Sequence, residues 1–195
     1  MLTILRTKLA CGRKRLAKRL AIATGFARRE DGAAALEFAI VAAPFIALVL
    51  ATLQTSFAFF AGQVLESAVA DSSRQILTGS AQNSNMTQSG FATAVCNKVQ
   101  ALFNCSKLMI DVQTANSFGA ANTSMPTLTF DGTGKVTNSW AFQPGQPGDV
   151  VVMRVMYQWP VFLGPLGLSM ANESNGNLLL MATAAFKNEP YTAGP

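Results

Sequence analysis

The sequence predicts an α+β protein in which a long N-terminal transmembrane helix continues into a domain with a second helix and an antiparallel sheet. Three observations predict this fold class. Residues 38–61 form an uncharged and mostly apolar stretch. Apolar residues at helical spacing then continue up to residue 77. From residue 107 onward, short alternating segments typical of strands replace the helical spacing.

Positive charge is concentrated at the start of the chain. Residues 1–32 carry nine of the 15 Lys and Arg residues and form a basic leader. From Ala33 onward, six basic residues stand against eight acidic ones, so the chain's net positive charge comes from the leader. We therefore expect no nucleic-acid partner. The leader is interpreted as a topology signal, with an amphipathic helix on anionic lipid as the alternative.

The apolar stretch is long enough to cross a membrane. It offers 24 uncharged positions, whereas about 20 apolar residues are enough to span the hydrocarbon core. We predict a transmembrane helix at residues 33–62, kinked at Pro44, followed by an exported domain at residues 63–195. A buried core helix is the alternative interpretation.

The basic leader also predicts the orientation of this helix. The positive-inside rule places the N-terminus in the cytoplasm and the C-terminal domain in the periplasm of a bacterium. The chain is thus expected to be a single-pass protein of the inner membrane, in contact with membrane lipid. An uncleaved signal anchor would have the same topology.

A short motif lies at the polar edge of the apolar stretch. It begins with Gly32 and Ala33 and ends with Glu37 and Phe38, reading GAAALEF. This motif resembles the type IV prepilin processing site, at which a membrane peptidase cuts after the glycine. On that resemblance Ala33 becomes the new N-terminus, and the Glu37 carboxylate neutralises an α-amine during subunit docking. The alternative is that Glu37 is an ordinary charge at the membrane boundary.

Residues 28–79 as a whole resemble the TadE family, the pseudopilins of the tight adherence (Flp) pilus machinery. The matching features are the basic leader, the GAAALEF motif, the apolar helix, an aromatic-rich stretch and the pattern LExAxxxAxRxxxTG. In that last pattern Ser72 replaces the second alanine. The segment at residues 181–191, MATAAFKNEPY, also resembles longer family members.

The resemblance implies a pilin-like domain and a role as a minor pseudopilin of Flp (Tad) type IVb pili. It does not distinguish a fibre subunit from a primer or a scaffold. The implied partners are a prepilin peptidase, other pseudopilins and the pilus assembly platform. An uncleaved, signal-anchored periplasmic binding or scaffold protein is the alternative function.

The exported domain is expected to contain two helical segments and three to five strands. The first helix continues past the membrane, and a second helix runs from residue 87 or 89 to residue 103. Along both helices, the buried residues should recur at helical spacing, with exposed residues between them. The predicted strands lie at residues 107–114, two short ones within 127–140, 149–159 and 178–186.

Cys96 and Cys105 are predicted to form a disulfide, because both lie in the exported domain, where disulfides persist. Two free thiols or a metal site are the alternatives. The third cysteine, Cys11, lies in the leader and would be lost on processing.

No catalytic pattern is recognised in the sequence. The chain has no histidine, and it contains no nucleophile elbow, phosphate-binding loop or dinucleotide-binding motif. The segment Asp131-Gly132-Thr133-Gly134 is interpreted as a turn, with a calcium loop as the alternative. We therefore expect no enzymatic activity, no cofactor, no metal and no small-molecule substrate. An enzyme that uses only Asp and Glu is the remaining hypothesis.

Overall fold

The computed structural model describes residues 31–162 and 169–192. Helix α1 (Asp31–Leu77) is followed by a one-turn helix α2 (Ser80–Asn83) and by α3 (Gln88–Val99). Strands β1 (Met109–Ala115), β2 (Val150–Pro160) and β3 (Asn177–Lys187) complete the fold, with short 3-10 turns at Cys105–Lys107 and Phe118–Ala120. The predicted α+β class, with a long apolar helix and an antiparallel sheet, is confirmed.

The chain divides into two compact units, Met1–Val49 and Leu50–Pro195. In the first unit, the described part of α1 is largely exposed. In the second unit, α1 buries one stripe of side chains at helical spacing. This stripe comprises Ala58, Ala61, Leu65, Ala68, Val69, Ser72 and Ile76. The amphipathic continuation of the helix is thereby confirmed, and it begins slightly earlier than the apolar pattern indicated.

Helix α3 packs against the same core as the second half of α1. Thr87 caps its N-terminus by accepting a hydrogen bond from the backbone N–H of Gly90. Its apolar residues Phe91, Val95 and Val99 are buried in the core. The helix ends at Val99, four residues before the predicted end, although Phe103 beyond it is still buried.

A disulfide between Cys96 and Cys105 connects α3 to the 3-10 turn that precedes β1. The two Cα atoms are 5.6 Å apart. The predicted pairing is therefore present, and the cross-link joins the end of α3 to the start of the sheet.

The sheet has the order β1-β2-β3, and both pairs are antiparallel. One face packs on the helices through side chains such as Ile110, Val155 and Ala182. Residues 141–143 cover the outer edge of β1, where the N–H of Val112 donates to the carbonyl of Ala141 at 2.9 Å. This contact protects an edge that would otherwise offer unpaired backbone groups to another chain.

Residues 127–140 differ from the prediction, because they do not form two strands. They contain one isolated antiparallel bridge, Phe130 with Val136, around a turn. The Asp131 carboxylate accepts hydrogen bonds from the Thr133 hydroxyl at 2.7 Å and from the N–H groups of Lys135 and Thr133, both at 2.9 Å, and these bonds lower its pKa. The segment is thus a turn, held by side-chain hydrogen bonds rather than by a ladder.

The segment between β1 and β2 covers the outer face of the sheet. It contributes Leu128 to a second apolar cluster that also contains Met109, Met156 and Leu179 from the three strands. The sheet is therefore buried on both faces, by helices on one side and by irregular chain on the other.

Beside that second cluster lies a buried ion pair. Asp111 and Arg154 are direct cross-strand partners, with exposed fractions of 1% and 7%. The guanidinium donates to the carboxylate through Nη2 and, at 3.1 Å, through Nε. The same carboxylate accepts from the N–H of Ala141 at 2.9 Å, and Arg154 donates to the carbonyl of Ser124 at 3.3 Å. The pair thus ties the covering segment to the sheet at two points.

We expect Arg154→Met to lower the free energy of unfolding by about 3–5 kcal/mol, because it leaves the Asp111 carboxylate buried without its cation. Chemical denaturation of the detergent-solubilised protein measures the change. The matched control is Lys98→Met, which removes the exposed ion pair with Asp71 and should cost less than about 1 kcal/mol. Equal losses of unfolding free energy in the two variants would contradict the larger cost expected for breaking the buried pair.

Candidate processing site and membrane helix

The GAAALEF motif occupies the first turns of α1. Gly32 lies in the first turn of α1 that the structure describes. Residues 32–38 are all exposed, and a Cβ placed on Gly32 would meet nothing within 4 Å. The predicted cleavage point is therefore slim and accessible.

Glu37 is exposed and shares a helix face with Ala33. Residues four apart are neighbours on a helix surface, so the backbone nitrogen of Ala33 lies one turn from the Glu37 carboxylate. Phe38, the next residue, is 74% exposed. The motif thus presents one carboxylate at the start of a surface that is otherwise apolar.

Large apolar side chains are exposed along the following six turns of α1. The residues with more than a third of their surface exposed are Leu36, Phe38, Ile40, Val41, Phe45, Ile46, Leu48, Val49, Leu50, Leu53, Phe57, Phe59 and Phe60. Residues 38–60 rise by about 34 Å at about 1.5 Å each, which matches a hydrocarbon core of about 30 Å. Among the described residues, α1 is the one helix whose length and composition suit a membrane span.

Pro44 lies inside α1. Proline has no N–H, so the carbonyl of Ile40 loses its helical hydrogen bond. The predicted kink stays a prediction, as do the segment boundaries 32/33 and 62/63. The leader, with its orientation signal and Cys11, precedes the described residues.

The downstream part of the family-like pattern divides between core and surface. Leu65 and Ala68 are buried, whereas Glu66 and Arg74 are exposed. Ser72, which replaces an alanine of the pattern, is fully buried, and its hydroxyl has no hydrogen-bond partner in the part of the chain that the structure describes. The position therefore requires a small side chain, and the hydroxyl adds no polar contact.

The end of α1 is in contact with the C-terminal segment. Gly79 adopts a left-handed conformation with φ of 76°, and a Cβ at this position would overlap the ring of Tyr191. The N–H of Glu189 donates to the carbonyl of Leu77 at 2.9 Å. The two regions that carry the family resemblance, residues 28–79 and 181–191, therefore meet in space. The sequence motifs did not indicate this contact.

The hydroxyl of Tyr191 is partly buried at this junction and donates to the carbonyl of Gly145 at 3.4 Å. Burial raises the pKa of Tyr191, and the nearby charge of Asp149 raises it further. The phenol is thus kept protonated, and its contribution to stability is constant below the ordinary tyrosine pKa of about 10 and lost as the pH rises above it.

Nothing in the described residues groups three or more Cys, Asp or Glu side chains in a way that could hold a metal ion. Cys96 and Cys105 are occupied by their disulfide. Within residues 32–38 of α1, the polar groups are the Glu37 carboxylate, which can bind an amine, and the backbone, which a protease can cut.

We expect Gly79→Ala to destabilise the protein by about 2 kcal/mol or more, because the left-handed conformation costs about 1–2 kcal/mol and the methyl group also displaces Tyr191. Thermal unfolding in detergent measures the loss. Gly62→Ala is the matched control, since a Cβ there meets nothing within 4 Å and helix propensity favours alanine by about 0.5–1 kcal/mol. If the two variants unfold at the same temperature, the contact with Tyr191 and the left-handed backbone do not require glycine at position 79.

Comparison with known families gives a match to the TadE-like protein family over residues 32–74. No curated protein and no solved structure matches the chain. The match begins at Gly32, the glycine of the GAAALEF motif, and ends at Arg74 in the last turn of α1. A match of this kind suggests a component associated with the Tad pilus machinery in general. Residues 32–74 are therefore similar to the TadE-like protein family, as the sequence resemblance predicted.

Proposed function

We propose that the protein is a minor pseudopilin of Flp (Tad) type IVb pili, cut by a prepilin peptidase after Gly32. The observation that carries this proposal is that the TadE-like match begins at an exposed glycine, in the first described turn of a helix of membrane-spanning length. The chain enters the inner membrane with its leader in the cytoplasm and its C-terminal domain in the periplasm. A structural role, with no catalytic step, fits this arrangement.

Glu37 has a defined task in this proposal. Cleavage after Gly32 leaves the α-amine of Ala33 positively charged at neutral pH, at the edge of a low-dielectric bilayer. The carboxylate lies one turn further along the same face and can neutralise this amine or that of an adjacent pseudopilin. Docking of subunits or of the assembly platform then buries a neutral pair instead of two separate charges.

Mass spectrometry of the membrane-extracted protein tests the processing step. In cells that express the prepilin peptidase, we expect the mature chain to begin at Ala33. In cells without the peptidase, the leader should remain attached. Gly32→Leu should block cleavage because it adds bulk at the cut site, whereas Gly25→Leu, a matched change within the leader, should not.

An intact leader in cells with active peptidase would contradict the proposal. It would favour the alternative, an uncleaved signal-anchored binding or scaffold protein. The alternative is supported by a cleft of about 740 Å³ on the outer face of the sheet, whose described lining includes Lys107 and Lys135 and no acidic side chain.

We expect Glu37→Ala to keep processing but to lower the amount of surface pili by about tenfold, the loss that corresponds to a docking interaction of about 1.4 kcal/mol. Immunoblots of sheared pili measure the effect. The control is Glu66→Ala, which removes another exposed carboxylate of the same helix outside the motif. Normal piliation with Glu37→Ala would remove the role assigned to the carboxylate.

A further inference from the structure

One end of the sheet lies beside the apolar part of α1. The hydroxyl of Thr55 donates to the sulfur of Met170, in the connection between β2 and β3, at 3.4 Å. Thr55 lies five residues before Phe60, or about 7.5 Å along the helix axis. The helix around it exposes Leu53, Phe57 and Phe60. The connection therefore reaches the level of helix residues that would be in contact with lipid.

The first residues after β2 add an exposed aromatic side chain at this end. Phe162 follows the end of the strand at Pro160 by two residues and is 80% exposed. Among the large apolar side chains outside α1, it is more exposed than Phe118 and Met125, the other two with wide exposure in the described chain. A single exposed phenylalanine is not unusual. Here, however, it belongs to the same end of the domain as Met170.

The outer face of the sheet carries a basic cleft at the same end. The cleft has a volume of about 740 Å³ and is lined by Lys107 and Lys135 together with Tyr157, Pro160 and Asn177. Among the described residues, no acidic side chain lines it. Asp131 lies near Lys135 and attracts its charge, while the carboxylate accepts hydrogen bonds within its own turn. The two ammonium groups are suited to an anionic ligand.

The opposite end of the sheet has a different character. There, a second cleft is lined by Asp149 and Lys187 together, next to Phe118. Phe118 is 56% exposed. This end of the sheet, however, lies near the contact of Tyr191 with Gly79, just after the C-terminus of α1 and away from its apolar part. An exposed aromatic side chain and two lysines thus coincide at the end of the sheet where Met170 contacts α1.

We propose that this end of the domain rests on the bilayer surface, with Phe162 in the boundary between headgroups and acyl chains. Lys107 and Lys135 face the phosphates of anionic lipids. Aromatic side chains partition into this boundary, and lysines near the surface are attracted to anionic headgroups. The occupant of the surface is lipid, because Met170 at this end contacts Thr55 beside the exposed apolar residues of α1. This inference rests on the proposed membrane anchoring of that helix.

Fluorescence quenching by lipids tests the position of Phe162. In a Cys11→Ser background, Phe162→Cys carries an environment-sensitive fluorophore in proteoliposomes that contain acyl-chain quencher lipids. The native disulfide keeps Cys96 and Cys105 unreactive. Leu53→Cys is the positive control for the helix, and Phe118→Cys is the matched control for an exposed phenylalanine at the other end.

In liposomes in which about a third of the lipid is anionic, we expect about half of the emission to be quenched at positions 53 and 162, and almost none at position 118. Quenching at 53 without quenching at 162 overturns this inference and leaves membrane anchoring intact. Absence of quenching at 53 overturns anchoring as well. Since the liposomes contain no other protein, an occupant other than lipid would also leave position 162 unquenched.

The lysines are tested by lipid composition. Replacing about a third of the neutral lipid by an anionic one should raise the quenched fraction at position 162 about twofold. Lys107→Gln with Lys135→Gln should abolish this increase, and Lys187→Gln, at the opposite end, should preserve it. The same increase in the double variant would overturn the assigned role of the two lysines.

Discussion

The fold depends on one helix that must satisfy two different surroundings. In its first part α1 exposes large apolar side chains in all directions, which suits lipid but is costly in water. Further along, the same helix buries a stripe that includes Leu65, Val69 and Ile76 against the sheet. This stripe and α3 together cover the inner face of the sheet. The helix that is a candidate membrane span is therefore also a core element of the domain.

The outer face of the sheet is organised by a different principle. Irregular chain covers it, and such chain has few backbone partners of its own. The Asp111–Arg154 pair supplies them by binding the N–H of Ala141 and the carbonyl of Ser124. A buried ion pair contributes little net stability when it is intact, yet it penalises any arrangement that leaves one charge alone. It thus selects one path for the covering segment.

The elements that could be predicted from the sequence are those with a local periodic signal. The stripe of α1, the buried face of α3 and the three strands follow from helical or alternating spacing, and Gly32 and Glu37 follow from a short motif. The contacts of Asp111 with Arg154 and of Gly79 with Tyr191 depend on register and on chain reversal, which spacing does not encode. One signal was available for the ion pair: opposite charges interrupt two otherwise apolar strands.

The junction between the C-terminal segment and the end of α1 has a consequence for biogenesis. Asn83 and Thr192, which meet there, are 109 residues apart in the chain. At about 5–20 residues per second, ribosomes need roughly 5–20 s to make that intervening stretch. Throughout this interval the helix is already available for membrane insertion, while its core stripe has no sheet to cover it. During this interval, a chaperone or a neighbouring subunit can bind the core stripe of α1, which the sheet covers once β3 has been made.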